Sequence, residues 1–324
     1  MTPDLLAEIA AEANLAPSVH NTQPVRWQRD GTDALLLTLD PARRLAVGDP
    51  NGRDARLSGG AALLGTQYAL WRRGIGLRGV EIAGDRVRIA LGGGAQDPPA
   101  LELLRRRTSY RAGFAPAGAD VTAALTALAA ARADVAAITD TARIRETSRL
   151  NDTASLGVMR DAGFRAELLS WMRLRPGHPD WHRDGLSAEA LAMRRLEAMG
   201  AGLVLRTPVF ETLDALRLSR GVVAEAARTE TAATLLAFHR PAAEDRWTTG
   251  QAFYDLWIAL TRIGCAAWPM AVLADDPAAR QAVTQRLALA DDRALITVLR
   301  VGPHPGARQP PKARLSGADL VKDA

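Results

Sequence analysis

Pro17-Ser18-Val19-His20-Asn21-Thr22-Gln23-Pro24 interrupts a chain that otherwise patterns readily. It follows an Ala-rich stretch of helical spacing and precedes a run of strand character. Its residues are small, amide-bearing or turn-forming and show no apolar period, so the stretch builds no core of its own. It can present backbone N–H groups, a hydroxyl and two carboxamides at the end of a helix. That set suits a flat ligand with many acceptors.

Upstream, residues 2–15 read as a helix with Thr2 as N-cap, Pro3 at the first helical position, and Leu5, Leu6, Ile9, Ala10 and Ala13 on one face. Downstream, 25–28 and 34–39 read as strands around the turn Arg29-Asp30-Gly31. A long helix over 53–73 ends at Gly74, and strands follow at 80–82 and 86–91. Gly92-Gly93-Gly94 and Asp97-Pro98-Pro99 mark a boundary. Beyond it the pattern gives helices at 101–106 and 121–131 and a strand at 135–138. Residues 141–172 read as largely helical, 173–186 as loop and 187–199 as helix. Residues 200–208 fit no pattern, and 222–227 and 234–239 read equally as strand or helix. A helix at 249–263 ends at Gly264, and a strand at 295–301 leads to a Pro-rich tail.

The chain has 324 residues, 48% hydrophobic and 24% charged, enough for one large core or two fused lobes. No apolar run approaches the roughly 18 residues of a membrane span. The first ten residues carry Asp4 and Glu8 and no basic cluster, unlike a signal peptide. Cys265 is the single cysteine, so an intramolecular disulfide and a Cys-rich metal site are both excluded. These features favour the cytoplasm. The formal charge of +5 is almost wholly arginine, lysine occurring only as Lys312 and Lys322. The arginines are interleaved with acids, as over 131–149, which reads as solvated helix faces rather than a nucleic-acid surface.

The two halves repeat weakly but in register. Gly60, Ala62, Ala69, Leu70, Arg72 and Gly74 match Gly250, Ala252, Ala259, Leu260, Arg262 and Gly264, each pair 190 positions apart. An internal duplication is the expectation, against the alternative that Ala/Leu-rich helices align with anything. It divides the chain into an N-terminal half, 1–98, and a C-terminal half, 99–324, with a lid-like insertion at about 171–208.

Two further motifs carry chemistry. In Arg105-Arg106-Arg107-Thr108-Ser109-Tyr110-Arg111, clustered guanidinium groups with hydroxyls at a helix end suit phosphate oxygens; the alternative is a solvated basic turn. Lys312-Ala313-Arg314, stiffened by Pro310-Pro311, reads as a second cationic segment or as a basic tail. His178 and His182 are four apart, but Gly177 and Pro179 oppose a regular helix there and no further ligand completes a metal site. No Gly-x-Ser-x-Gly or P-loop sequence occurs.

Together the motifs resemble the nitroreductase superfamily of FMN oxidoreductases. Pro17–Pro24 looks like the family loop that covers the flavin ring and ribityl chain. Arg106-Arg107-Thr108 and Lys312-Ala313-Arg314 look like its two phosphate segments. Trp268-Pro269-Met270-Ala271-Val272 looks like the turn whose backbone amide reaches flavin N5. Where the family loop ends in Trp, this chain has Val25, with the aromatic two positions on at Trp27. The opening loop lies in the first half and both phosphate segments in the second, which resembles the Acg-like branch, where two halves are fused and a lid can cover the one remaining flavin. Trp171-Met172-Arg173 and Asp184-Gly185-Leu186 also look like that branch.

The resemblance implies an α+β, three-layer fold of two pseudo-repeat halves, each a mixed or antiparallel sheet flanked by helices. It implies FMN as cofactor, with NAD(P)H as reductant and a nitroaromatic, quinone or similar small acceptor, or oxidation of a small biosynthetic substrate. The cofactor residues it points to are Ser18, His20, Asn21, Gln23, Arg106, Arg107, Thr108, Arg111, Met270, Ala271, Val272, Lys312 and Arg314. No side chain need be a catalytic acid, although His20 could touch substrate; no metal, nucleic acid or membrane is implied. A fused chain resembles a whole dimer and could act as a monomer, with a homodimer left open. The alternative is a protein that sequesters FMN under a lid with little turnover.

Overall fold

A computed structural model describes residues 1–306 and 312–322. The chain opens with α1 (Pro3–Ala13), started by the Thr2 hydroxyl accepting from the Leu5 amide at 3.2 Å. Strands β1 (Val25–Asp30) and β2 (Ala34–Leu39), helix α2 (Arg53–Trp71), and strands β3 (Leu77–Ala83) and β4 (Arg86–Leu91) complete the first lobe. Its antiparallel sheet has the order β1-β2-β4-β3. Leu35, Leu37, Val87 and Ile89 alternate onto the buried face against α1 and α2, while Gln28, Leu36, Thr38 and Arg86 face outward around a cavity of about 550 Å³.

The second lobe begins with α3 (Leu101–Arg106), α4 (Ala119–Ala130) and β5 (Val135–Ile138). An excursion follows: α5 (Thr141–Met159), α6 (Ala162–Trp171), β6 (Met172–Arg173), β7 (Leu186–Ser187), α7 (Arg195–Val204), α8 (Thr207–Ala215), α9 (Arg220–Val223) and α10 (Ala226–Thr229). Strand β8 (Thr234–Pro241), helix α11 (Arg246–Arg262), strand β9 (Cys265–Met270), helices α12 (Val272–Asp275) and α13 (Pro277–Arg286), and strand β10 (Arg293–Pro303) finish it. This sheet is also antiparallel, order β5-β8-β10-β9. The class is α+β, and the two sheets share one strand order around one long helix each.

Helices α2 and α11 each cover the buried face of their own sheet and meet each other on a second face. Their contact is backbone against backbone. A Cβ on Gly60 would stand 2.0 Å from the Trp247 carbonyl oxygen, and one on Gly250 would stand 2.1 Å from that of Leu57. Only glycine permits so close an approach.

Two sequence expectations differ, and one left open between strand and helix resolves. Residues 187–199 are not one helix: the Arg173 carbonyl accepts from the Ala188 amide, β6 pairs in parallel with β7, and the helix starts only at Arg195. Residues 234–239 are a strand without alternation, because α5, α12 and α13 cover the sheet face that α11 does not. Trp268 and Pro269 lie in an edge strand, where the missing proline N–H costs no ladder bond, and the turn comes at Ala271. The C-terminal residues return to the first lobe. Helix α14 (Gly317–Leu320) packs on α1, and Val321 pairs in parallel with Trp27 at the free edge of β1.

Candidate functional site

The loop at 17–24 leaves the C-terminus of α1 under strain. His20, Asn21 and Gln23 have φ of 44°, 55° and 52°, left-handed values that few side chains adopt. The conformation is held from several sides. The Ser18 hydroxyl accepts from the Gln23 amide at 3.0 Å, and the Val19 amide donates to Ser58 at 3.0 Å. Gln23 is buried; its carboxamide oxygen accepts from Asn14 at 2.6 Å and from the Leu315 amide at 2.8 Å, and its nitrogen donates to the Arg183 carbonyl at 2.8 Å. The Asn21 amide group donates to the carbonyls of Gly185 and Ala313, both at 3.1 Å, and accepts from Arg314 at 2.8 Å. The loop therefore joins the C-terminal segment and residues 183–185 of the excursion.

Arg107, Lys312 and Arg314 converge beside it. Arg107 caps α3 in an extended conformation, so its side chain turns inward, 4.9 Å over the Trp257 ring. Arg107 and Arg314 both donate to the Leu15 carbonyl, at 3.2 and 3.4 Å, and Lys312 donates to that of Leu104 at 3.0 Å. Arg314 also donates to Asn14 O at 2.6 Å. None of the three makes an ion pair among the described residues, and Nε and Nη1 of Arg107 have no partner. Burial, then the neighbouring Arg107 and Arg314, pushes the Lys312 ammonium down to about 5. Burial and Arg107 bring Arg314 to about 9. Arg107 is buried and Lys312 and Arg314 half-buried; with unpartnered donors on Arg107 and no paired carboxylate among the described residues, the set fits a dianionic phosphate.

Two of the expected cations stand apart. Arg106, on the outer side of α3, is exposed, and its carbonyl lies 3.2 Å from His304 Nε2. Arg111 donates to the Ala190 carbonyl at 3.0 Å. Its pKa falls to about 10 by burial. Arg111 belongs with His20, which burial and then Arg111 hold down at about 4. Thr108 is half-buried and lies between Arg107 and Arg111 in sequence. The separation follows from the extended run after α3, in which the Tyr110 amide donates to Ala267 O at 3.0 Å along the free edge of β9. Met270 is core, and the amides of Ala271 and Val272 donate to no acceptor among the described residues.

Residues 183–190 form a strap over the loop. Beyond the bonds above, Gly185 N donates to Asn21 O at 3.2 Å and Arg314 N to His182 O at 3.0 Å. Asp184 anchors the strap: it binds Arg173 through two bonds of 3.1 and 2.7 Å, and Arg43 at 2.9 Å.

No family model matches this chain, and no curated protein sequence matches it. Among solved structures it is similar to an FMN- and NADPH-dependent nitroreductase from Sphigopyxis sp. strain HMH, at 19% identity over 68% of this chain and 96% of that one, TM-score 0.38. It is similar to an FMN-dependent nitroreductase from Mycobacterium smegmatis in complex with NADPH, at 19% identity over 69% and 91%, TM-score 0.34. A nitroreductase with bound FMN from Bacteroides fragilis follows, at 16% identity over 65% and 91%, TM-score 0.33. Similarity at this level fixes neither the fold nor the chemistry of this chain.

The motif reading missed several side chains that shape the region. Tyr254, on α11, is fully buried with its hydroxyl unpartnered. Arg300 is fully buried 4.5 Å over the Trp268 ring and donates to Arg111 O at 2.5 Å. A lone arginine inside the apolar run 295–301 was a legible signal for Arg300. A tyrosine on an apolar helical face gave none. His178 is occupied locally, accepting from the Asp180 amide at 3.1 Å.

Proposed function

We propose that this chain is an FMN-dependent oxidoreductase of nitroreductase-like architecture, in which two fused halves share one flavin site. The convergence of Arg107, Lys312 and Arg314 beside the loop at 17–24, with no paired carboxylate among the described residues, carries the reading. In it those three side chains hold the phosphate. Ser18, Asn21 and Gln23 shape the wall for the ribityl chain and ring, with His20 and Arg111 at the far end. The amides of Ala271 and Val272 would serve N5. When bound, FMN supplies hydride transfer between NAD(P)H and a small acceptor such as a nitroaromatic or quinone, or from a small biosynthetic substrate. The protein's part is to bind, orient and exclude water, and no side chain need donate a proton.

Shared strand order, the meeting of Gly60 with Gly250, and Gly74 and Gly264 ending their helices at φ 71° and 75° support descent of both halves from one duplicated unit. Purified protein titrated with FMN and mixed anaerobically with NADPH and NADH tests the function. Uptake of FMN followed by loss of its yellow absorbance is expected; a protein that takes up no FMN overturns the reading. A second reading, a sequestering protein with little turnover, is favoured by the strap, whose bonds already hold Asn21, Gln23 and Arg111. Absorbance that persists with every hydride donor would establish it over the first.

A further inference from the structure

Tyr254 is the residue of α11 that the proposed site leaves unexplained. It is fully buried, and its hydroxyl meets no acceptor among the described residues. An unpaired buried hydroxyl costs stability, so a protein that keeps one needs a reason. The surroundings supply it. Trp257, one helical turn on, lies under the Arg107 guanidinium at 4.9 Å, which places Arg107 against the same face of α11. Two nitrogens of Arg107 are likewise unpartnered. Arg314 reaches the same Leu15 carbonyl as Arg107. The positive charge of Arg107 and Arg314 acts on the phenol against the upward push of burial, which takes it to about 12; Glu12 is the one acid acting on it, and that carboxylate is already paired with Arg72 and Arg73. The hydroxyl is thus a neutral donor among cationic donors, and what the group lacks is an acceptor.

We infer that Tyr254 is a phosphate ligand, the donor by which the Arg107–Lys312–Arg314 group selects a terminal phosphomonoester over the same flavin without phosphate or with phosphate in a diester. This deepens, and rests on, the FMN reading above. A monoester dianion offers three terminal oxygens to these donors. A diester has one terminal oxygen and one charge fewer for those donors and must carry its chain past them. The predicted order of affinity is FMN, then riboflavin, with FAD excluded.

The experiment compares the full-length protein with Tyr254→Phe, which removes one oxygen and leaves the ring packing intact. Flavin fluorescence titration is run with FMN, riboflavin and FAD, and thermal unfolding is followed with and without inorganic phosphate. The expected result is an FMN Kd raised about tenfold or more in the variant. Its riboflavin Kd should stay within about twofold, and its unfolding temperature without ligand should be equal to or above the wild type's. Equal weakening of FMN and riboflavin, or no change in either, overturns the inference while leaving the FMN reading intact. If no flavin binds but phosphate stabilises the wild type more than Tyr254→Phe, the FMN reading falls and the phosphate role of Tyr254 stands. If neither flavin nor phosphate acts on the wild type, both fall. FAD bound as tightly as FMN overturns the monoester selectivity.

Discussion

Lys312 shows how a single side chain ties binding to protonation. With its pKa pushed to about 5, it is neutral at pH 7 while no anion is bound. A dianion beside it reverses the balance of charge, so binding of a phosphomonoester should draw a proton onto the amine near neutral pH. Calorimetry of FMN binding in buffers of different ionisation enthalpy should report that uptake. Lys312→Met should abolish it and weaken binding about tenfold or more. His20 bears on stability instead. Its folded value of about 4 lies below the ordinary 6.5, so the unfolded chain holds more protons between those limits. Stability should therefore rise with pH from 4 to 6.5, by about 3 kcal/mol, and level off above. Asparagine tolerates the left-handed backbone at this position, so His20→Asn should flatten that slope in denaturant titrations at a series of pH values.

At the scale of elements, the strap and the loop share one anchor. Asp184 neutralises Arg173, which is 8% exposed, so Asp184→Asn leaves a buried cation poorly paired. Its effect should be local opening: faster hydrogen exchange over 173–190, and, where the strap limits access, faster loss of flavin absorbance with NADPH. Unchanged exchange would show that Asp184 is no anchor. The first sheet was legible in the sequence because only one of its faces is buried and apolar residues alternate. Strand β8 was not, since burial on both faces erases the alternation. Strand β9 was hidden by Pro269, which reads as a turn and is tolerated at a sheet edge. The motifs pointed to Arg107, Lys312 and Arg314, because charged residues clustered near turns stand out. Tyr254 and Arg300 did not stand out as site residues, because they come from core elements where neighbours in space are distant in sequence.

Across the whole molecule, the crossing of α2 and α11 is the joint between the lobes. Gly60→Ala would drive a methyl group into a backbone carbonyl and should cost about 3 kcal/mol or more of global stability, read from chemical denaturation. The proposed site needs the loop of one lobe and side chains from the other and from the C-terminal segment, so absorbance should give one FMN per chain. The return of residues 312–322 to α1 and β1 also sets a schedule. Asn14 and Arg314, joined by one hydrogen bond, are 300 residues apart, roughly 15–60 s of synthesis at 5–20 residues per second. For most of that interval the first sheet can form while the second still lacks β10, and the proposed phosphate group has only Arg107. A growing chain should thus carry a folded first lobe and no grip on phosphate, and on the proposed reading cofactor capture becomes the closing event of its biogenesis rather than a guide to its folding.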